Sequence, residues 1–477
     1  MNVAPGSRTH RAAVPAPRTR APRAAELAAR TPASRDRYVD LLRVVSLAAV
    51  IFGHWLMAVP VVAADGSVAV GNVLSAVPAL RPLTWLLQVM PVFFLVGGFA
   101  HGTAWASVRR RGGGYADFTR ARAIRLLRPT AVFLAVWLAL ATVAGLAGQD
   151  AGLVRVALRT VTQPLWFLGV YLALVALTPP LWSLHRRLGR RAPAVPAALL
   201  AATAAVDVLR FTGGHTRLAT LNLLLVWAGV HQLGFLYADG TLQRGGRRLA
   251  GWLAGAGLLA LVVLTSAGPY PVSMVGVPGD AVSNMSPPTL ALAAHAVWLT
   301  GLVLLLRGPA TRWLARARVW RAVVAANGLA MTAFLWHLGA AFAVVGVVAV
   351  RGWDLGAPGG PVWWLTRPLW LGAAALCTAV LVSVFRRFDA PRPPAATCGG
   401  YPLRSALGML LCTLGVLGVS TVGFGGLLDG RTATLLVLPV TAPAALALLV
   451  AGAALLRPAP GSDVAAGTVR GRDTVAQ

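Results

Sequence analysis

Hydrophobic runs of roughly membrane-spanning length alternate with short polar segments along most of the chain. A helix crosses the hydrocarbon core of a bilayer in about 20 residues, and many of these runs approach or exceed that length. The predicted fold is therefore an all-α, polytopic membrane bundle of about 10–12 transmembrane helices. The twelve candidate spans are 41–63, 83–104, 130–147, 164–183, 193–209, 218–237, 248–267, 289–307, 325–350, 362–385, 404–424 and 432–456.

The composition agrees with this pattern and argues against a soluble protein. The chain of 477 residues is 57% hydrophobic and only 12% charged. Its formal net charge of +29 comes from arginine, because the sequence contains no lysine. The arginines lie between the apolar runs rather than in a separate basic domain, so a lipid bilayer is the predicted partner and nucleic acid is not. Lysine-free, arginine-rich usage is typical of a GC-rich bacterial genome.

Arginine-rich and arginine-poor segments alternate between the predicted spans. One set includes "HRRLGRR" and "RGPATRWLARARVWR", whereas the longest segment of the other set, "GPYPVSMVGVPGDAVSNMSPP", contains no arginine. Because cytoplasmic loops are enriched in basic residues, this alternation predicts a multi-pass protein of the cell membrane with both termini in the cytoplasm. Residues 1–36, which are basic, and residues 458–477 have no apolar run, and we predict that both are disordered cytoplasmic tails.

The first predicted span contains an arginine near its start and a histidine in its middle. Arg43 and His54 are eleven residues apart, which places them on one helix face with an offset of about 16 Å along the axis. Asp40, one turn before Arg43, is placed to hold the guanidinium. An ionisable residue inside a membrane indicates function, and an imidazole can act as a general base near neutral pH. The alternatives are an arginine that snorkels to the interface and a structural histidine.

A second group of basic residues precedes the third span. In "FTRARAIRLLRP", Arg122, Arg125 and Arg128 recur every three residues along the start of a predicted helix. Arginine binds phosphate through bidentate hydrogen bonds, so the phosphates of a coenzyme A thioester would fit here. Ordinary enrichment of arginine in a cytoplasmic loop explains the same pattern equally well.

Other polar residues lie within spans or in the long arginine-free loop. His231 and His337 fall inside predicted spans, and each is as consistent with a structural role as with a pocket. The loop 268–289 is nearly uncharged, and loops of this length often bind substrates. We predict that it folds over the bundle and that Ser283 and Asn284, together with the two histidines, contact a substrate.

These features together resemble the acyltransferase-three family of integral membrane O-acyltransferases. The arginine and histidine of the first span follow "RYVDLL", the second span reads "VFFLVGGF", the basic loop ends "RARAIRLLRP", and a late span contains "FLWH". Two positions depart from the usual family pattern, because Gly97 replaces a common serine and Phe334 a common tyrosine. The resemblance implies a core of about ten spans at 37–390, with 391–457 as two additional spans.

The resemblance also implies an activity, namely transfer of an acyl group from a cytoplasmic acyl-CoA to a hydroxyl. The group is often acetyl, and acceptors in the family include cell-envelope glycans, lipids and secondary metabolites. By this analogy His54 is the catalytic histidine, assisted by Arg43, while Arg122 and Arg125 help to hold the donor. Acyl-CoA is then a substrate, and no bound cofactor is implied.

A membrane transporter is the alternative interpretation, because twelve spans with both termini on one side are common among carriers. The two halves show no evident repeat, which counts against it. A carrier predicts a wide cavity between matching halves, whereas an acyltransferase predicts a narrow tunnel from the arginines to His54. Neither interpretation involves a metal, since the three cysteines, Cys377, Cys398 and Cys412, have no metal-ligand spacing and are predicted to be free thiols.

Overall fold

The computed structural model describes residues 24–32, 35–62, 68–149, 152–389 and 400–457. Within these residues the chain is almost entirely helical, with two short hairpins. The helices are α1 Ala24–Ala29, α2 Arg37–Met57, α3 Val73–Ala76, α4 Thr84–Leu87, α5 Met90–Arg110, α6 Tyr115–Leu146, α7 Gly152–Thr160, α8 Leu165–Leu188, α9 Ala194–Gly213, α10 Asn222–Ala238, α11 Thr241–Arg244, α12 Gly246–Ala267, α13 Leu290–Leu314, α14 Ala317–Asn327, α15 Ala330–Arg351, α16 Pro361–Phe385, α17 Pro402–Val422 and α18 Ala442–Leu455. The antiparallel strands are β1 Ala58–Val62 with β2 Val68–Asn72, and β3 Thr432–Leu435 with β4 Leu438–Thr441.

Eleven helical segments within the described residues are long and apolar enough to cross a membrane, so the predicted fold class is confirmed. The twelfth predicted span, 432–456, is wrong in its first part. That part folds as the hairpin β3–β4, and only the 14-residue helix α18 follows it. Pro439 lies in this hairpin, and an internal proline there is poorly compatible with a continuous helix.

The bounds of two helices and part of the N-terminal tail also differ from the prediction. The first helix ends at Met57, where the chain turns into β1, and the third begins at Tyr115, well before the apolar run. Residues 24–32, predicted to be disordered, include α1, and Thr31 accepts a hydrogen bond from the indole of Trp320 on α14. Residues 1–23 and 458–477 lie outside the described part, as does Cys398, whereas Cys377 and Cys412 are free thiols.

The two ends of the bundle differ in character. One end, which we call the hairpin face, carries β1–β2, β3–β4 and the loop 268–289. The opposite end, which we call the arginine face, contains the first turns of α2 and α6. The loop is fixed to the hairpin face because Asp207 accepts hydrogen bonds from the Tyr270 hydroxyl and the Leu290 amide, at 3.1 and 2.7 Å. The predicted fold of this loop over the bundle is therefore observed.

Helices α5 and α10 approach each other closely in the centre of the bundle. A Cβ atom added at Gly98 would overlap the carbonyl of His231, and one added at Gly234 would overlap the carbonyl of Leu95. Small residues allow helices to pack backbone against backbone in a membrane. Gly98 of "VFFLVGGF" therefore serves the packing of α5 on α10, which also positions the histidines of these two helices, whereas a Cβ atom at Gly97 would meet the Tyr171 ring of α8.

Candidate active site

The start of α2 is fixed by its own polar residues. Asp36 caps the helix by accepting hydrogen bonds from the amides of Tyr38 and Val39. Arg35 donates two hydrogen bonds to the Asp40 carboxylate, at 2.5 and 2.8 Å, and these bonds raise the pKa of its guanidinium. The expectation that Asp40 holds Arg43 is therefore wrong, because the bidentate geometry is taken by Arg35. Among the described residues, Arg43 has no hydrogen-bond or salt-bridge partner and is half-buried.

His54, three turns further along α2, forms a pair with His337 of α15. The His54 Nδ1 and His337 Nε2 atoms are 2.8 Å apart, and the two ring planes lie within 20° of each other with their centroids 5.0 Å apart. The His337 Nδ1 atom lies 2.6 Å from the carbonyl oxygen of Phe334. His337 is fully buried, whereas His54 is partly exposed. The pair joins two helices whose histidines are 283 positions apart in the sequence.

These contacts determine the protonation pattern of the neutral pair. A carbonyl oxygen only accepts hydrogen bonds, so the Nδ1 of His337 must carry the proton that reaches Phe334. The Nε2 of neutral His337 is then an acceptor, and the Nδ1–H of His54 must be its donor. The Nε2 of His54 is therefore left with a free lone pair. We assign these proton positions from the hydrogen-bond network. A histidine in this state is ready to accept a proton from a substrate.

The aromatic residues around the pair hold its backbone in place. The Trp55 indole donates a hydrogen bond to the His337 carbonyl at 3.1 Å, and the Trp370 indole donates one to the Trp55 carbonyl at 2.8 Å. Helices α2, α15 and α16 are thus connected at the level of the histidines. Such supporting hydrogen bonds fix the orientation of a reactive side chain.

Two cavities meet at His54. The larger has a volume of about 870 Å³ and is lined in part by residues of the hairpin face, while the smaller has a volume of about 340 Å³. Both are lined by His54, and both also contact Asn72, Gln163 and Trp166. Ligand pockets commonly occupy about 300–1,000 Å³, so the larger one is of substrate size. These three residues belong to no distinctive motif, so the sequence did not predict that they line a cavity.

The arginines predicted to bind the donor lie near the other end of α2. Arg43 is close enough to Arg122 and Arg125 for their charges to interact, and Arg125 is also within electrostatic range of Asp389. Arg122 is half-buried and Arg125 is exposed, while Arg128 follows one turn later and is half-buried. Neither cavity at His54 is lined by these arginines, so the tunnel from them to His54 stays a prediction.

His231, predicted as a substrate contact, lies in a different environment from His337. It is fully buried and pairs with His101 of α5, with the His101 Nδ1 and His231 Nε2 atoms 3.1 Å apart. Neither of these histidines lines either cavity. The position of His101 near the end of the second predicted span favoured an interfacial histidine, but the structure places it in the buried interface of α5 with α10.

Ser283 and Asn284 have structural contacts in the loop. The Ser283 hydroxyl accepts hydrogen bonds from the amides of Met285 and Ser286, and the buried Asn284 side chain donates to the carbonyls of Pro271 and Ser273. Neither residue lines the cavities, but the three residues that follow them, 285–287, line the larger one. Contact of Ser283 and Asn284 with a substrate stays a prediction. The same holds for the predicted substrate contacts of His231 and His337.

The apolar helices and the histidine pair beside the larger cavity define a membrane-embedded protein with a substrate-sized cavity. A family model described as the Acyltransferase domain of the acyltransferase 3 family matches residues 36–386. This match covers most of the chain, which therefore belongs to that family and catalyses acyl transfer. The enzyme interpretation thus holds over the transporter alternative. Searches of curated proteins and of solved structures found no match.

Proposed function

We propose that this protein transfers an acyl group, in particular acetyl, from cytoplasmic acyl-CoA to a hydroxyl of a cell-envelope glycan, a lipid or a secondary metabolite. The observation that carries the proposal is the hydrogen-bonded pair of His54 and His337, because it assigns an unprotonated Nε2 to His54, a residue that lines both cavities. A bacterial cell membrane is the proposed location. Both termini and the arginine face would lie on the cytoplasmic side, consistent with the alternation of arginine between loops.

The donor would bind from the arginine face. Its phosphates would contact Arg43, Arg122, Arg125 and Arg128, since the guanidinium group is suited to phosphate oxygens. Arg43 lies about 16 Å from His54 along the axis of α2, an offset that the extended pantetheine arm can bridge. Because no arginine lines the cavities at His54, we propose that donor binding opens the path along α2.

The acceptor hydroxyl would enter the larger cavity from the hairpin face. The Nε2 atom of His54 removes the hydroxyl proton while the oxygen attacks the thioester carbonyl. The tetrahedral intermediate then collapses, the carbon–sulfur bond breaks, and the proton on His54 passes to the coenzyme A thiolate. His337 stabilises the imidazolium form of His54, because its Nε2 accepts the hydrogen bond from Nδ1 throughout. General base catalysis of this kind typically contributes about 10²–10⁴-fold to the rate.

The experiment uses purified protein in lipid nanodiscs with radiolabelled acetyl-CoA and an envelope extract. We expect release of free coenzyme A together with incorporation of label into a product that hydroxylamine cleaves, as an oxygen ester requires. The substitution His215→Ala, at an exposed histidine that lines neither cavity, provides a matched control and should behave as the wild type. Intact, folded protein that neither binds nor consumes acetyl-CoA would contradict acetyl transfer from this donor.

A further inference from the structure

The C-terminal segment lies outside the family match and yet reaches the candidate active site. It comprises α17, β3–β4 and α18, after the matched residues 36–386. Three hydrogen bonds fix α17 and the residues after it to residues 158–163: Thr162 to the Val419 carbonyl at 3.1 Å, Ser420 to the Gln163 carbonyl at 2.6 Å, and the Phe424 amide to the Leu158 carbonyl at 2.9 Å. The addition is therefore an integral part of the bundle.

This segment forms one wall of the larger cavity. Leu417, Ser420 and Thr421 of α17 line it, together with Thr434, Leu435 and Leu436 of the β3–β4 hairpin. Residues of α15 and of the loop 268–289 also line this cavity. Residues within 417–436 therefore contribute to the same cavity that His54 lines.

The lining of the cavity has a distinct chemistry. Apart from His54, its described lining residues are apolar, amide or hydroxyl-bearing, and none of them is arginine, aspartate or glutamate. Moving a charge out of water without an opposite charge to pair with it is unfavourable, so such a lining disfavours charged occupants. Its mixture of leucine, phenylalanine and tryptophan with amides and hydroxyls suits a molecule that has both an apolar and a hydroxylated part.

We propose that residues 417–436 are the acceptor-binding wall of this enzyme and that its acceptor is an uncharged amphipathic hydroxyl compound, such as a neutral glycoside with an apolar aglycone. This inference rests on the proposed function. The hydroxylated part lies at His54, and the apolar part lies against Leu417 and Leu435. Because this wall is an addition to the family domain, part of the acceptor contact lies outside the residues that perform the chemistry.

The test compares two probes that differ in one charge, octyl glucoside and octyl glucuronide, below their micellar concentrations. Protein in nanodiscs with acetyl-CoA is assayed for acetylated probe by mass spectrometry. We expect the neutral probe to be acetylated with a kcat/KM at least about tenfold higher, the ratio that corresponds to 1.4 kcal/mol. Equal acetylation, a preference for the glucuronide, or acetylation of neither probe by protein that consumes acetyl-CoA would overturn the proposal.

Two substitutions at Leu435 locate the selectivity in the C-terminal wall. Leu435→Arg places a cation in the cavity and should reduce the preference for the neutral probe at least about fivefold. Leu435→Phe adds bulk without charge, and it should slow the acetylation of both probes while keeping the preference for the neutral one. This variant tests the wall even if Leu435→Arg does not fold. Val437→Arg, an exposed position in the same hairpin that does not line the cavity, is the matched control and should keep wild-type rates.

The two proposals can fail separately. If the wild type acetylates the neutral probe but Leu435→Arg and Leu435→Phe both leave rates and preference unchanged, the acceptor wall is wrong and acyl transfer at His54 stands. If the wild type does not consume acetyl-CoA at all, the proposed donor chemistry itself is wrong.

Discussion

The bundle contains two histidine pairs that look alike in isolation and differ in their surroundings. His54 and His337 join α2 to α15, and His101 and His231 join α5 to α10, each through one nitrogen–nitrogen hydrogen bond. The first pair borders two cavities, and a backbone carbonyl fixes its protonation pattern. The second pair is sealed, and the remaining ring nitrogen of His231 has no partner among the described residues.

This comparison shows that a histidine inside a membrane span is a poor indicator of catalysis by itself. Access to a cavity and a defined lone pair distinguish the candidate base from the sealed pair. The sealed pair lies beside the close contact of Gly98 with α10 and within electrostatic range of Arg122 and Arg43. Its position indicates a structural role, holding α5 and α10 together near the proposed donor site.

The largest expected difference is between His54→Ala and His101→Ala. Loss of the proposed base should lower the rate of acetyl transfer by about 10²–10⁴-fold, whereas loss of a sealed histidine should change the rate less than about tenfold in protein that remains folded. Initial rates with radiolabelled acetyl-CoA measure both. Equal losses in the two variants would remove the distinction between the pairs.

A smaller loss is expected at the partner of the base. His337→Ala removes the acceptor that orients His54 and should lower kcat about 10²-fold with little change in the KM for acetyl-CoA, since His337 is buried behind His54. His337→Gln offers a side-chain amide oxygen as acceptor and should recover part of the rate. If neither variant affects kcat, His337 does not orient the base.

A still smaller effect is expected at the arginine face. Arg122→Ala should raise the KM for acetyl-CoA about tenfold with a modest change in kcat, because a phosphate contact far from the reacting atoms mainly serves binding. Arg187→Ala, at an exposed arginine at the end of α8, is the control and should leave the KM unchanged. An unchanged KM in Arg122→Ala would exclude this arginine from the donor site.

The smallest effect on rate, but a measurable one on stability, is expected at the sealed pair. His231→Leu leaves the buried His101 Nδ1 without its partner and should lower the free energy of unfolding by about 1–3 kcal/mol. Thermal unfolding in detergent, with the double variant His101→Leu/His231→Leu as comparison, measures this. The double variant should be no worse than the single one, since no unpaired group remains, and a clearly additive loss would contradict the argument.

The sequence predicted much of the fold, and it placed Arg43 and His54 on one helix. Apolar length alone identified eleven helices, because spanning a bilayer is a local property of a segment. The spacing of Arg43 and His54 on one helix likewise required no knowledge of the fold. The twelfth predicted span was wrong because average hydrophobicity does not distinguish a hairpin with a following short helix from one long helix.

The contacts between helices could not be read from the sequence. Whether His337 reaches His54 or a substrate depends on how α15 crosses α2, and the pairing of Asp40 with Arg35 rather than Arg43 depends on how the chain enters α2. The contribution of residues 417–436 to the cavity depends on α17 packing against α8. Each of these features is set by tertiary packing, which periodicity along a single segment does not encode.

The central claim is that His54 presents an unprotonated Nε2 atom to the cavity because His337 accepts the hydrogen bond from its Nδ1. Solid-state ¹⁵N NMR of histidine-labelled protein in lipid measures this directly, with the His54 signals assigned by their loss in His54→Asn. The structure predicts that neutral His54 carries its proton on Nδ1. A proton on Nε2 would contradict the account, because the atom facing the substrate would then be a donor rather than a base.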